Sequence, residues 1–228
     1  MRKYITEFIG TFFLVLTVGL TVLGGTDLAP LAIGASLMVM VYMGGHVSGG
    51  HYNPAVSLAV LLRGKMASVG EFVIYVVSQC AGAVAAALAV YAIVGRTFAP
   101  APAATATVTG ALMVEVLYTF ALALVVLNSA VAVKTLGNSF YGLAIGFTVV
   151  VGAFAGGPIS GGAFNPAVGL GPIIVDAMLG GGSVANLWLY LVGPLVGGAL
   201  AAGVFGLQEQ EPISMHAQAS QTPEKTPT

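Results

Sequence analysis

Residues 48–56 read Ser48-Gly49-Gly50-His51-Tyr52-Asn53-Pro54-Ala55-Val56, and residues 160–168 read Ser160-Gly161-Gly162-Ala163-Phe164-Asn165-Pro166-Ala167-Val168. This near-repetition is part of a larger one. Leu31-Ala-Ile-Gly34 returns as Leu143-Ala-Ile-Gly146, and Gly44-Gly45 returns as Gly156-Gly157, both at the 112-residue offset that separates Asn53 from Asn165. Glu7-x-x-x-Thr11-Phe12 returns as Glu115-x-x-x-Thr119-Phe120 at an offset of 108. The chain is therefore two related halves, about 4–96 and 107–206. A segment broken by Gly and Pro at matching places in two halves is the sequence mark of a transport site.

The composition puts those halves in lipid. Of 228 residues, 57% are hydrophobic and 7% charged, against roughly 25% charged in a soluble domain; the mean hydropathy is +0.98. Apolar runs predict six spanning helices, near 4–24, 28–45, 70–94, 107–129, 137–157 and 186–206. Two further apolar segments, 53–62 and 165–175, are too short to span. Each begins at Asn-Pro-Ala after a Gly-rich run and reads as a re-entrant half-helix, which is tolerated at membrane depth only where protein or a water-filled cavity surrounds it. Three spans per half is an odd number, so the second half enters from the opposite face and the repeats are inverted.

Basic residues set the expected orientation. With the N-terminus inside, Arg2, Lys3, Arg63, Lys65 and Lys134 fall on the cytoplasmic side, and Arg96 falls outside with Asp27 and Asp176. Both termini are then cytoplasmic. Residues 1–206 form one channel-sized domain, and the polar stretch 207–228 reads as a disordered cytoplasmic tail. No cleavable leader is expected, because the first apolar run is long and carries Glu7.

Several classes are excluded. A net charge of −1 gives no case for nucleic acid. The lone Cys80 forms no internal disulfide and reads as a packing residue. Three histidines, one of them His216 in the tail, make a metal site improbable, and His46 reads as a packed loop residue. No cofactor is implied. No Ser/His/Asp, Cys/His or phosphate-loop constellation supports an enzyme or a nucleotide-driven pump.

The repeated phrase carries the chemistry. Each Asn is placed to cap a half-helix and each Pro to take its first turn, where a missing N–H costs nothing. The macrodipole puts positive potential at that end. Inverted symmetry brings the two N-termini together at mid-membrane, where Asn53 and Asn165 can each turn an N–H toward a passing solute. The preceding residues, Gly49, Gly50, His51 and Tyr52, with Gly161, Gly162, Ala163 and Phe164, read as extended and would offer a ladder of carbonyl acceptors. Two donors at the centre, acceptors on each side and apolar walls elsewhere suit small neutral polar molecules. The two dipole ends oppose cations and protons.

These residues resemble the aquaporin, or major intrinsic protein, family over roughly 4–206, through both Asn-Pro-Ala motifs (Asn53, Pro54, Ala55; Asn165, Pro166, Ala167) and both helix-one glutamates. The resemblance implies an all-α, right-handed bundle of six transmembrane helices with two re-entrant half-helices, one pore per protomer, and a homotetramer in the bilayer, here a bacterial inner membrane. It implies that Glu7 and Glu115 buttress the re-entrant loops by accepting their backbone hydrogen bonds. It also marks a departure. Most members carry an arginine after the second Asn-Pro-Ala, where this chain has Val168. The other constriction positions correspond to Ile33, Ala153 (or its neighbour Gly152) and Gly162. The expected filter is wide, neutral and apolar. Glycerol facilitators keep the arginine and follow it with Asp, where this chain has Gly169.

The leading expectation is a passive channel for water and small neutral solutes such as glycerol, urea or metalloid hydroxides. A dedicated metalloid or glycerol channel is the alternative. Two others stand further off: a non-conducting junctional protein that keeps the fold, and a coupled transporter, which would need ion-coordinating groups the midplane does not supply.

Overall fold

The computed structural model describes residues 1–209, which fold as eight α-helices in chain order: α1 Arg2–Gly24, α2 Ala29–Ser48, α3 Pro54–Leu62, α4 Val69–Val94, α5 Val108–Val126, α6 Tyr141–Ser160, α7 Pro166–Val175 and α8 Leu187–Gln208. Six are long and apolar enough to cross a bilayer, α5 counting with the widened turn that carries it on to Val131. The two short ones, α3 and α7, start at the two Asn-Pro-Ala motifs. Leu207 and Gln208 still belong to α8; the rest of the expected disordered tail, from 210, lies outside the described residues.

Side chains set the helix starts. Ser68 Oγ accepts from the Glu71 N–H at 3.1 Å, and Thr107 Oγ1 accepts from the Gly110 N–H at 3.0 Å, each satisfying a donor that the first turn leaves open. Glycine sets many of the ends: α1, α2, α4 and α6 stop at Gly25, Gly49, Gly95 and Gly161, all left-handed. Three bounds, in two helices, depart from expectation. α2 runs to Ser48 rather than 45, and α6 spans 141–160 rather than 137–157. The Gly-Gly pairs do not end these helices, because a glycine in a packed span costs only about 1 kcal/mol. The α6 start moves to Tyr141 because Asn138 Oδ1 accepts from the N–H groups of Phe140 and Tyr141, at 3.0 and 2.8 Å. His46 also departs: it lies in the last turn of α2 and is exposed.

The packing obeys a two-fold rule. α1 packs on α2 and α4 as α5 packs on α6 and α8, while α4 embraces α7 as α8 embraces α3. Exchanging the halves leaves this pattern intact, and α2 meets α6 across the axis. That contact is closest at Gly34 and Gly146: a Cβ built on either would lie 2.5 Å from the other's carbonyl oxygen. The buried stripe of α4 (Tyr75, Gln79, Gly82, Ala83, Ala86, Ala87, Val90) recurs in α8 115 residues later, as Tyr190, Pro194, Gly197, Gly198, Ala201, Ala202 and Phe205. Small residues let backbones approach, which is how helices associate where burying apolar surface from water no longer drives them together.

Ion pairs collect at one face. Lys3 reaches Glu71 at 2.8 Å, and Arg63 and Lys65 reach Glu209 at 3.3 and 4.0 Å. They tie together the ends of α1, α3, α4 and α8 on the side where the sequence puts most of its basic residues.

Candidate conduction site

The two half-helices meet head to head at the centre of the bundle. Asn53 Oδ1 accepts from the Ala55 N–H at 2.8 Å and Asn165 Oδ1 from the Ala167 N–H at 2.9 Å, the cap each position calls for. Each amide nitrogen then crosses to the other half. Asn53 Nδ2 donates to the Phe164 carbonyl at 2.9 Å, and Asn165 Nδ2 to the Tyr52 carbonyl at 2.8 Å. Oxygen faces a donor and nitrogen faces an acceptor, so both contacts require the same amide orientation. An amide NH2 has two hydrogens, which leaves one on each Asn.

Three of the four residues in each loop entering this centre are left-handed rather than extended, a correction to the sequence expectation. Gly49 and Gly50 have φ of 90° and 63°, Gly161 and Gly162 have 91° and 65°, and the bulky Tyr52 and Phe164 sit at 49° and 48°. A non-glycine residue held there costs on the order of 1–2 kcal/mol, and the surroundings hold it. Glu7 Oε1 accepts from Ser48 Oγ (2.7 Å) and the His51 N–H (3.0 Å), and its Oε2 from the Tyr52 N–H (2.6 Å) and Gln79 Nε2 (2.8 Å). Glu115 repeats the pattern. Its Oε1 takes Ser160 Oγ (2.7 Å) and the Ala163 N–H (3.0 Å), and its Oε2 takes the Phe164 N–H (2.7 Å). Both carboxylates are fully buried. The halves differ at one point: Pro194 stands opposite Gln79, so Glu115 has one donor fewer.

The same loops present acceptors. Within each, the first N–H bonds back into its helix (Gly49 to Gly45 O, Gly161 to Gly157 O) and the second to a serine hydroxyl (Gly50 to Ser48, Gly162 to Ser160). With the other two held by glutamate, every N–H of 49–52 and 161–164 is engaged. The carbonyls of Gly49, Gly50 and His51, and of Gly161, Gly162 and Ala163, have no partner among the described residues. Those of Tyr52 and Phe164, expected in the ladder, already accept from the crossing asparagines.

His51 turns its ring away, with Nδ1 3.0 Å from Ser57 Oγ and the ring 5.2 Å from that of Tyr75. Tyr75 and Tyr190 brace the turns from outside by donating to the carbonyls of Ser48 and Ser160. The sequence reading missed this pair, though both tyrosines sit on the 115-residue offset that relates α4 to α8.

A cavity of about 410 Å³ opens from this centre toward the face where α1 ends and α2 begins. Asn53, Asn165, Ile33, Ala153, Gly162 and Val168 all line it. Gly152, the neighbour of Ala153, packs instead against Phe164 and Tyr118. Leu14, Val18, Leu122 and Val149 add aliphatic side chains to the wall. The loop between α4 and α5 supplies Phe98, Ala99, Pro100 and Ala101, a contribution no motif signalled. It is pinned by Thr97 Oγ1 donating to Asp176 (2.5 Å) and by the Ala103 N–H donating to the Ile159 carbonyl (3.0 Å). Among the described residues, no charged side chain lines the cavity.

The arrangement has relatives. The family model described as Major intrinsic protein matches residues 1–205. A glycerol uptake facilitator protein-like 6 of Lactiplantibacillus plantarum is 37% identical, over 89% of this chain and 95% of its own. The aquaporin TIP2-3 of Arabidopsis thaliana is 36% identical over 90% and 86%. The fold is similar to that of an aquaglyceroporin from Plasmodium falciparum, with a TM-score of 0.78 at 23% identity, covering 90% of this chain and 94% of that one. On this match the chain belongs to the major intrinsic protein family.

Proposed function

We propose that this protein is a passive membrane channel for water and small neutral solutes, admitted through a wide, arginine-free filter of Ile33, Ala153, Gly162 and Val168. One observation carries the reading: those four residues and both capping asparagines line a single uncharged cavity. A solute entering it exchanges hydration for the free carbonyls of 161–163, then for the asparagine N–H groups where the half-helix dipoles converge, then for the carbonyls of 49–51. Cations meet two positive helix ends and no compensating carboxylate, since Glu7 and Glu115 are enclosed by their own donors. The identity to a protein named as a glycerol uptake facilitator favours glycerol among the larger solutes. The orientation has both termini in the cytoplasm, from the basic residues at one face, and the assembly is a homotetramer in a bacterial inner membrane.

Stopped-flow light scattering on proteoliposomes tests this. Water and glycerol should both equilibrate faster than in protein-free vesicles. Water flux alone, with glycerol and urea at the protein-free rate, would overturn the wide filter.

A further inference from the structure

Resting on that reading, we propose that the connection between the two repeats, residues 97–103, is a specificity element of the pore: the N–H groups of Phe98, Ala99 and Ala101 donate to the acceptor oxygens of entering solutes, and Thr97 and Asp176 position them. The lining leaves little else to do this at the mouth. Its polar side chains, among the described residues, are Asn53 and Asn165, and both lie at the inner end. The N–H groups of Gly161, Gly162, Ala163 and Phe164 are all engaged. Those of Phe98, Ala99 and Ala101 have no partner among the described residues, and all three residues line the cavity. Phe98 is itself buried. Buried backbone N–H groups almost always find a partner, and here the contents of the cavity can provide it.

Contacts along its length hold the segment still. The Phe98 ring fills the notch that Gly19 leaves in α1, where an added Cβ would lie 2.4 Å from it. Thr97 Oγ1 donates to Asp176, just past the end of α7, at 2.5 Å. Gly180 and Gly182 close over this latch: an added Cβ would lie 2.1 Å from Thr97 Oγ1 on the first and 1.9 Å from Asp176 Oδ2 on the second. The Ala103 N–H donates to the Ile159 carbonyl at 3.0 Å, and the Ala101 backbone lies against Gly161, where an added Cβ would meet its N and O at 2.8 Å. Ala99 and Ala101 each precede a proline, whose ring keeps the residue before it extended. The segment therefore offers fixed donors, and a solute oxygen can settle on them whether or not the solute has donors of its own.

The test is stopped-flow flux of dimethyl sulfoxide and urea into the same proteoliposomes, each corrected for protein-free vesicles. The two are alike in size, but dimethyl sulfoxide can only accept hydrogen bonds, whereas urea also donates them. The parent should pass both. The double variant Ala99→Pro with Ala101→Pro deletes two N–H groups from extended backbone that proline itself adopts. It should lower the ratio of dimethyl sulfoxide to urea flux about three- to tenfold, the worth of roughly one hydrogen bond. Ala99→Val with Ala101→Val adds bulk but keeps both N–H groups, and should leave the ratio near the parent's. Thr97→Val, which removes the latch hydroxyl at similar volume, should lower it, and Thr97→Ser, which keeps the hydroxyl, should not. An unchanged ratio in the proline variant, or an equal fall in the proline and valine variants, would overturn the proposal. Thr97→Val and Thr97→Ser behaving alike would remove the latch from it. Dimethyl sulfoxide at the protein-free rate in the parent, with urea passing, would overturn it too while leaving the wide channel standing. Urea at the protein-free rate would overturn the wide-channel reading itself, and this proposal with it.

Discussion

Glu7 and Glu115 hold together the geometry on which everything else at the centre depends. Each binds the two successive N–H groups that precede an asparagine, and the second of each pair belongs to a residue forced into the left-handed region. Removing the carboxylate strands those N–H groups in a place water does not reach, at about 1–3 kcal/mol apiece. Glu7→Ala and Glu115→Ala should therefore both lower the unfolding temperature of the detergent-solubilised protein, with Glu7→Ala the worse because it also frees Gln79. Glutamine at either site keeps the shape but replaces one acceptor oxygen with a donor, so it should cost on the order of 2 kcal/mol rather than rescue the fold. Thermal unfolding followed by tyrosine and tryptophan fluorescence gives the ranking. Glutamine variants as stable as the parent would show that the carboxylates are not needed as double acceptors. At this scale the sequence was informative about identity and less so about conformation. The pairing of glutamate with the repeated phrase follows from family resemblance. The left-handed Tyr52 and Phe164 carry no propensity signal, because it is the bonds to Glu7 and Glu115 that hold them there.

Among the helices, stability rests on close approach more than on amphipathic faces. Gly34 and Gly146 meet at the inter-repeat axis, where either Cβ would lie 2.5 Å from a backbone oxygen that cannot step aside. Gly34→Ala should cost about 1–3 kcal/mol by overpacking. Gly203→Ala, in α8, meets nothing within 4 Å and should be neutral or stabilising by about 0.5–1 kcal/mol through helix propensity. The difference between the two alanines, read from the denaturant dependence of each variant, separates packing from propensity; equal effects would remove the axis contact from the account. Helix number, order and type were readable from apolar run length and the Asn-Pro-Ala starts. Two helix ends and one start were not. The Gly-Gly pairs suggested breaks where packing keeps α2 and α6 helical, and the Asn138 cap could be placed only once its loop was folded. The α4–α5 loop was likewise silent in the sequence, since Phe98–Ala101 reach the cavity only through the pinning of Thr97 and Ala103.

At the scale of the whole molecule, the two-fold rule decides where the site is, and departures from the family pattern decide what passes. The symmetric features are the asparagine caps, the glutamate buttresses, the serine and tyrosine braces and the glycine contacts, and together they build a pore with donors at its middle. Val168 keeps the two-fold rule, matching Val56, and departs instead from the arginine that the family usually carries there. The offsets of 108 and 112 residues and the valine were read in the sequence, and the grouping of Val168 with Ile33, Ala153 and Gly162 came from the family resemblance; the 115-residue offset of α4 and α8 and the shape of the cavity were not legible, because the lining comes from three helices and a loop. The most direct test of the central claim is stopped-flow glycerol flux in proteoliposomes bearing the parent or Val168→Arg at equal density, with water permeability measured in the same vesicles. The account predicts that arginine lowers glycerol flux at least about tenfold, equivalent to roughly 1.4 kcal/mol on the barrier, while water falls much less. Glycerol passing both proteins at the same rate would contradict it.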